Sequence, residues 1–139
     1  MTPTKHERAG IIPFYIENNK VFVYLMIPSN KRFGGTQPQI AKGCKDGDET
    51  PWETATREAY EEIGLMESNL KGDSITLVDS KNKITIFANE IYSLADFDEF
   101  GPETAGTVIL QLTENNISLV RKWQQPYFMA LIEYFEKKS

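Results

Sequence analysis

Two runs near the start of the chain, 9–16 and 21–27, are dense in β-branched and aromatic residues, the composition of strands. Glu17, Asn18, Asn19 and Lys20 lie between them. Asparagine tolerates positive φ, so the unit reads as a β-hairpin. The second run is almost continuously apolar, which predicts a strand covered on both faces. Pro13 interrupts the first run and predicts an edge position or a bulge. Residues 28–38 read as a polar loop carrying Lys31, Arg32, Phe33 and the pair Gly34-Gly35, and 39–42 as a short strand.

The period then changes. Trp52, Ala55, Ala59 and Ile63 recur at helical spacing and should face a core. Thr50 is a good N-cap, Pro51 suits the first helical position, and Glu53 completes a capping box. Gly64 can take the left-handed conformation beyond the last turn, so the spacing predicts a helix from Pro51 to Ile63. Beyond it, 70–73 reads as a loop, and 74–79 and 83–92 as strands joined by a tight turn. Ile84, Ile86 and Ala88 alternate with Thr85, Phe87 and Asn89, as in a sheet with two distinct faces. Residues 94–106 are acidic and irregular, and 107–112 form a further strand. A terminal helix starts at Gln125 or Pro126, its Phe128, Leu131, Ile132 and Phe135 packing on the sheet. Trp123 and Tyr127 read as core or hinge residues rather than a base-stacking platform. Strands with two such helices give an α+β class.

The predicted helix carries a defect. Glu58, Glu61 and Glu62 share one side, and Glu58 and Glu62 are like charges at i,i+4, which costs an isolated helix roughly 0.2–0.5 kcal/mol. Glu61 and Glu62 also sit in the last turn, where the helix dipole disfavours anions. Arg57, between Glu53 and Glu61 at four-residue spacing, offsets only part of this. A local rule broken without local compensation marks a functional site. The simplest compensation is a hard divalent cation, which carboxylate oxygens suit and which bridges to substrate phosphates.

These residues also carry a resemblance. Gly43, Glu49, Arg57-Glu58, Ala59, Glu61-Glu62, Gly64 and Leu65 stand at the spacing of the Nudix signature. One departure is mild: Ala59 stands where a bulkier aliphatic is usual. The chain therefore resembles the Nudix hydrolases (MutT-like). The resemblance implies the Nudix α/β/α sandwich with a mixed β-sheet, and hydrolysis of a diphosphate linkage joining a nucleoside diphosphate to another group. It implies Glu58, Glu61 and Glu62 as ligands of Mg²⁺ (or Mn²⁺), and a substrate and metal contact from the backbone around Lys42 and Gly43. Arg57 would hold the carboxylates in place, Glu49 would support the site, and Glu58 or the loop residue Glu103, with Glu99 behind it, would activate water. Phe33 is available on the loop to stack on substrate. Ala41-Lys42-Gly43 resembles the Pro-Lys-Gly branch of the family more than the Pro-Gly-Gly branch. The positions of the family's tyrosine marker for dinucleoside polyphosphate hydrolases hold Lys81, Asn82 and Lys83. Ser80 stands at the proline marker of ADP-ribose enzymes. The expected substrate is thus a dinucleoside polyphosphate, an ADP-ribose-like compound or a nucleoside triphosphate. RNA 5′-end pyrophosphohydrolysis, and a silent nucleotide-sensing module, are the alternatives.

Composition narrows the classes. The 139 residues fit one domain, 1–139, with a real core. A net charge of −5 argues against a long nucleic-acid track and requires cations wherever phosphates bind. Asp46-Gly47-Asp48-Glu49 lacks the later spacing of a calcium loop. The lone Cys44 reads as a loop residue without chemistry and favours a reducing compartment. His6 sits near the terminus with no expected role. The start lacks the apolar core of a signal peptide and no run is long enough to span a membrane, so the expected location is cytoplasmic, as monomer or homodimer.

Overall fold

A computed structural model describes residues 7–30 and 36–138. The proposed stacking residue Phe33, and His6, lie outside these. The hairpin pairs β1 (Arg8–Glu17) with β2 (Lys20–Pro28) through Asn18 and Asn19, at φ 54° and 63°. Two consecutive left-handed residues match the right-handed twist of the flanking strands.

Around β1 the other strands assemble: β3 (Ala41–Cys44), β4 (Leu70–Asp79), β5 (Ile84–Ile91) and β6 (Thr104–Gln111). The order is β4-β5-β1-β2-β6, with β3 also pairing to β1. β1 and β5 are parallel and the other pairs antiparallel, so the sheet is mixed.

Helix α1 (Pro51–Ile63) covers one face, with α2 (Glu114–Ile117) and α3 (Gln125–Lys138) on the other. The strands' two-residue alternation feeds two cores. Ile12, Phe14, Val23, Leu25, Ile84, Ile86 and Ala88 meet Phe128 and Leu131, with Ile132 and Phe135 at the margin. Ala9, Ile11, Met26 and Phe87 meet Ala55, Ala59 and Ile63 of α1, flanked by Trp52. This is the α/β/α sandwich expected from the motif, and β2 is covered on both faces as its apolar run predicts.

Four boundaries differ from the sequence reading, each because tertiary pairing overrides local pattern. Pro13 lies in a central strand, not at an edge. It falls where β1 changes partner, since the β3 register ends at Ile11 and the β2 register begins at Phe14. The short strand is Ala41–Cys44, drawn in by pairing with Arg8–Ile11, while Gln39 makes an isolated bridge to Met26. β4 starts at Leu70, whose pairing with Ile91 is separated from Ile75 by an irregularity containing left-handed Gly72. β6 starts at Thr104, which pairs with Pro28 after a register shift.

Helix α1 has the predicted bounds. Thr50 Oγ1 accepts from the Glu53 N–H at 3.2 Å and Glu53 Oε1 accepts from the Thr50 N–H at 2.9 Å. Gly64 takes φ 73°, and a Cβ there would collide with the Asp98 carbonyl. Thr50→Ala should therefore cost about 1 kcal/mol. Gly64→Ala should cost more than the roughly 1–2 kcal/mol of left-handed strain alone. Urea melts with unchanged slope check this; a Gly64→Ala loss smaller than that of Thr50→Ala would contradict the cap.

Candidate active site

The site grows from the last two turns of α1 and what docks on them. β3 runs beside the helix, and at Gly43 the backbone comes so close to Glu58 that a Cβ would overlap its carboxylate. The acidic 94–103 stretch is tied down rather than loose. Its Asp98 N–H donates to the Gly64 carbonyl at 2.9 Å, and Tyr60 Oη donates to Asp98 Oδ2 at 2.8 Å. Thr104 Oγ1 donates to the Glu62 carbonyl at 2.6 Å, capping one of the acceptors a helix C-terminus leaves unpaired. Ser29 N–H holds the Glu103 carbonyl at 2.9 Å from the other side. Glu103 is thereby placed beside Glu62.

Arg57 organises the remaining groups. Its Nε and Nη2 grip Glu49 in a two-pronged pair at 2.8 and 3.0 Å. Its Nη1 reaches Glu58 at 3.0 Å and Glu61 at 3.4 Å, and Nη2 also donates to the Cys44 carbonyl at 2.9 Å. Glu49 closes its own loop by accepting from the Asp46 N–H at 2.8 Å. The Arg57 hydrogen bonds, then the Asp46 N–H, hold the Glu49 carboxyl down at about 2. Arg57 itself is raised, chiefly by Glu49.

The three motif glutamates are not equivalent. Glu61 is exposed at the rim. The Glu58 carboxyl is pushed up by burial, against the pull of Arg57. Glu62 is only 8% exposed and, among the described residues, its Oε2 has no hydrogen-bond partner. Burial, then the Glu58 charge, pushes its carboxyl up to about 9, with Lys42 opposing and Glu103 adding. Glu62, Glu103, Lys42 and Arg121 line one cavity of about 200 Å³. Two others, about 250 and 350 Å³, hold none of the α1 carboxylates.

The structure thus gathers Glu58, Glu62 and Glu103, with Arg57 and Glu49 behind them and Gly43 against Glu58. Glu61 joins only through Arg57. Among the described residues no three acidic, cysteine or histidine groups converge in cation-ligating geometry, as Glu58 and Glu61 are turned onto Arg57. The donor chemistry nonetheless fits a hard divalent ion: carboxylate oxygens, one of them buried and without a partner, beside a backbone that only glycine allows.

Sequence reasoning missed the cations. The family resemblance assigns Lys42 a role through its backbone, yet its ammonium lies over Trp123 and feels the Glu62 charge. Trp123 is not a core residue: it is 37% exposed, with cationic head groups over its ring, whereas Tyr127 is buried. No local pattern signals this, because Arg8 and Lys42 lie far from Arg121 and Trp123 in the chain and meet them only in the fold.

Comparisons with known proteins agree with this architecture. The family model described as NUDIX domain matches residues 4–126. A Rhodococcus erythropolis protein named as uncharacterised Nudix hydrolase orf19 is 35% identical over 60 residues, which is 43% of this chain and 32% of that one. The matched stretch thus spans about a third of that curated relative's length. Among solved structures, the binary complex of C. elegans Ap4A hydrolase superposes with a TM-score of 0.75 at 18% identity, covering 96% of this chain and 99% of that one. The NUDIX domain of Shewanella oneidensis NrtR, complexed with ADP ribose, superposes with a TM-score of 0.61 at 14% identity, covering 99% and 90%. At such identities these likenesses establish the fold. No helix among the described residues is long and apolar enough to cross a membrane.

A pH effect follows from Glu62. Its native pKa, about 9, lies above the ordinary 4.5, so between those values the metal-free native state keeps a proton that the unfolded chain releases. Stability in EDTA should therefore fall as pH rises through that window. Glu62→Gln should flatten the fall and raise the melting midpoint near pH 8 by roughly 5 °C. Melts in which the variant is less stable at every pH would show that the carboxylate is not the liability described.

Proposed function

The chain belongs to the NUDIX domain family, and from that premise we propose that it hydrolyses a diphosphate linkage in a nucleoside diphosphate joined to another group. The substrates in view are a dinucleoside polyphosphate, an ADP-ribose-like compound or a nucleoside triphosphate, acted on in the cytoplasm by a chain folded as one domain. The observation that carries the reading is Glu62, a buried carboxylate with an orphan oxygen, set beside Glu58 and Glu103 and open to a cavity. A protein gains nothing in stability from such a group unless a cation completes it.

Nudix hydrolases generally use divalent metal ions. Here Glu58, Glu61 and Glu62, with the backbone around Gly43, would hold Mg²⁺ or Mn²⁺. When bound, the ion neutralises phosphate charge and acidifies water. The chain's own groups supply the rest. Arg57 is a positioning residue: by gripping Glu49, Glu58, Glu61 and the Cys44 carbonyl it sets the carboxylates against β3. Either Glu58 or Glu103 accepts the proton of the attacking water. They differ in setting, since Glu58 is held by Arg57 and Glu103 comes from the loop side. Lys42 faces the same cavity and meets substrate phosphate.

A panel of ADP-ribose, diadenosine tetraphosphate, ATP and a triphosphorylated oligoribonucleotide, with Mg²⁺ or Mn²⁺, tests the reading by phosphate-product detection. Isotope-labelled water identifies the phosphorus attacked. Glu62→Gln should abolish turnover, and Arg57→Gln should lower kcat roughly 10–100-fold, as for residues that orient metal ligands. Glu103→Gln should abolish turnover if that residue is the base, and leave kcat nearly unchanged if Glu58 is. Tight nucleotide binding without turnover of any compound would overturn hydrolysis in favour of a sensing module.

A further inference from the structure

Three cationic head groups lie over one aromatic ring, and two of them, Lys42 and Arg121, belong to residues that line the cavity holding Glu62. Lys42 Nζ lies 4.9 Å from the Trp123 ring centre, Arg121 Cζ 5.4 Å and Arg8 Cζ 5.5 Å. A ring has two faces, so at least two of the three heads share a side or meet across an edge. Cation–π attraction orients each head over the indole but neutralises none of the charge. The charges also feel one another: burial, then Arg8, lowers the Lys42 pKa, with Glu62 opposing and Arg121 adding. Neither Arg8 nor Lys42 makes an ion pair among the described residues. A chain of net charge −5 has thus concentrated positive charge at one spot.

The cluster is built, not incidental. The segment 121–124 is clamped along 38–42. Arg121 N–H donates to the Pro38 carbonyl at 3.0 Å, and the wholly buried Gln124 accepts from the Ile40 N–H at 2.7 Å through Oε1. Those bonds set Trp123 beside Lys42. Lys42 and Arg121 also line the cavity that holds Glu62 and Glu103, so the positive cluster adjoins the acidic one.

We propose that Arg8, Lys42 and Arg121, arrayed on Trp123, form a polyanion subsite that takes phosphates beyond the scissile diphosphate. The site therefore prefers substrates with three or more consecutive phosphates over a plain diphosphate such as ADP-ribose. This rests on the proposed hydrolysis for its biological meaning, but the subsite can be tested without turnover. A phosphate chain matches the cluster because it carries about one negative charge per phosphate, and each guanidinium fork binds phosphate oxygens in pairs.

The test uses inorganic tripolyphosphate and pyrophosphate in EDTA, with affinity from calorimetry and quenching of indole fluorescence. The wild type should bind tripolyphosphate roughly tenfold more tightly than pyrophosphate, with affinity falling as salt rises. Arg8→Gln with Arg121→Gln should erase that preference. Arg8→Lys with Arg121→Lys, which keeps the charges, should restore most of it, and Trp123→Phe should remove the quench. Thermal melts confirm that the variants fold. Equal affinity for the two anions, no binding, or a preference that survives the double glutamine variant overturns the subsite, even if the substrate panel shows hydrolysis. A preference that vanishes in the double variant, beside a panel without turnover, upholds the subsite and sinks the hydrolytic reading instead. In an active enzyme, diadenosine tetraphosphate, ATP and triphosphorylated RNA then separate the sources of the phosphate chain. ADP-ribose as the sole good substrate would overturn the preference.

Discussion

One guanidinium joins the parts of this molecule that have to meet. Arg57 projects from α1, pairs with Glu49 on the incoming loop, reaches Glu58 and Glu61 on its own helix, and donates to the Cys44 carbonyl at the end of β3. Loop, strand and helix are thereby locked through a single side chain. A lysine could not do this, because a point charge lacks the planar fork that spans three carboxylates and a carbonyl at once. The pair is half sheltered, so it is worth more than an exposed surface bridge. Its larger consequence is geometric: it decides which way the Glu58 carboxylate faces across Gly43.

The acidic helix end then becomes intelligible as a tension held in place. The hydrophobic face of α1 anchors it to the sheet through Ala55, Ala59 and Ile63. That anchoring makes the burial of Glu62 unavoidable, since it follows from helix phase. Thr104 and Asp98 satisfy backbone groups at the helix terminus, yet neither reaches the Glu62 Oε2 atom. Two backbone acceptors at the helix end are thus satisfied while one side-chain oxygen is not. Optimisation for stability alone would have treated the two alike, so the orphan marks selection for something else.

How much of this the sequence discloses depends on the range of the interaction. Helix α1 is legible to the residue because every determinant is local: Thr50, Pro51, Glu53, the apolar stripe and Gly64. The Asn18-Asn19 hairpin is legible for the same reason. The acidic set is also legible, since like charges at helical spacing are a visible defect, whereas only the family resemblance points to Glu103. Pro13 misleads because strand rank is a property of the whole sheet: a proline is tolerated in β1 at the seam between two partners. The starts of β4 and β6 shift for a similar reason, being set by Ile91 and Pro28 across the ladder. Trp123 carries no local sign of its surroundings. The placement of Arg8 and Lys42 over it comes from the fold, which no pattern in 121–124 records.

The two charge clusters require each other. A trio of carboxylates alone repels a phosphate chain, and a trio of cations alone would hold one without cleaving it. Set side by side, with Lys42 opposing the upward push on the Glu62 carboxyl and Glu62 partly offsetting the crowding of Lys42, each lowers the cost of assembling the other. That mutual compensation is incomplete in the protein alone, because Lys42 still falls and Glu62 still rises. What remains on both sides would be complemented by an anionic ligand along one stretch and, at the next, by a divalent ion that Glu58, Glu61 and Glu62 would hold. Charge balance at the level of the site, rather than any single side chain, is what the proposed phosphate-chain substrate would complete.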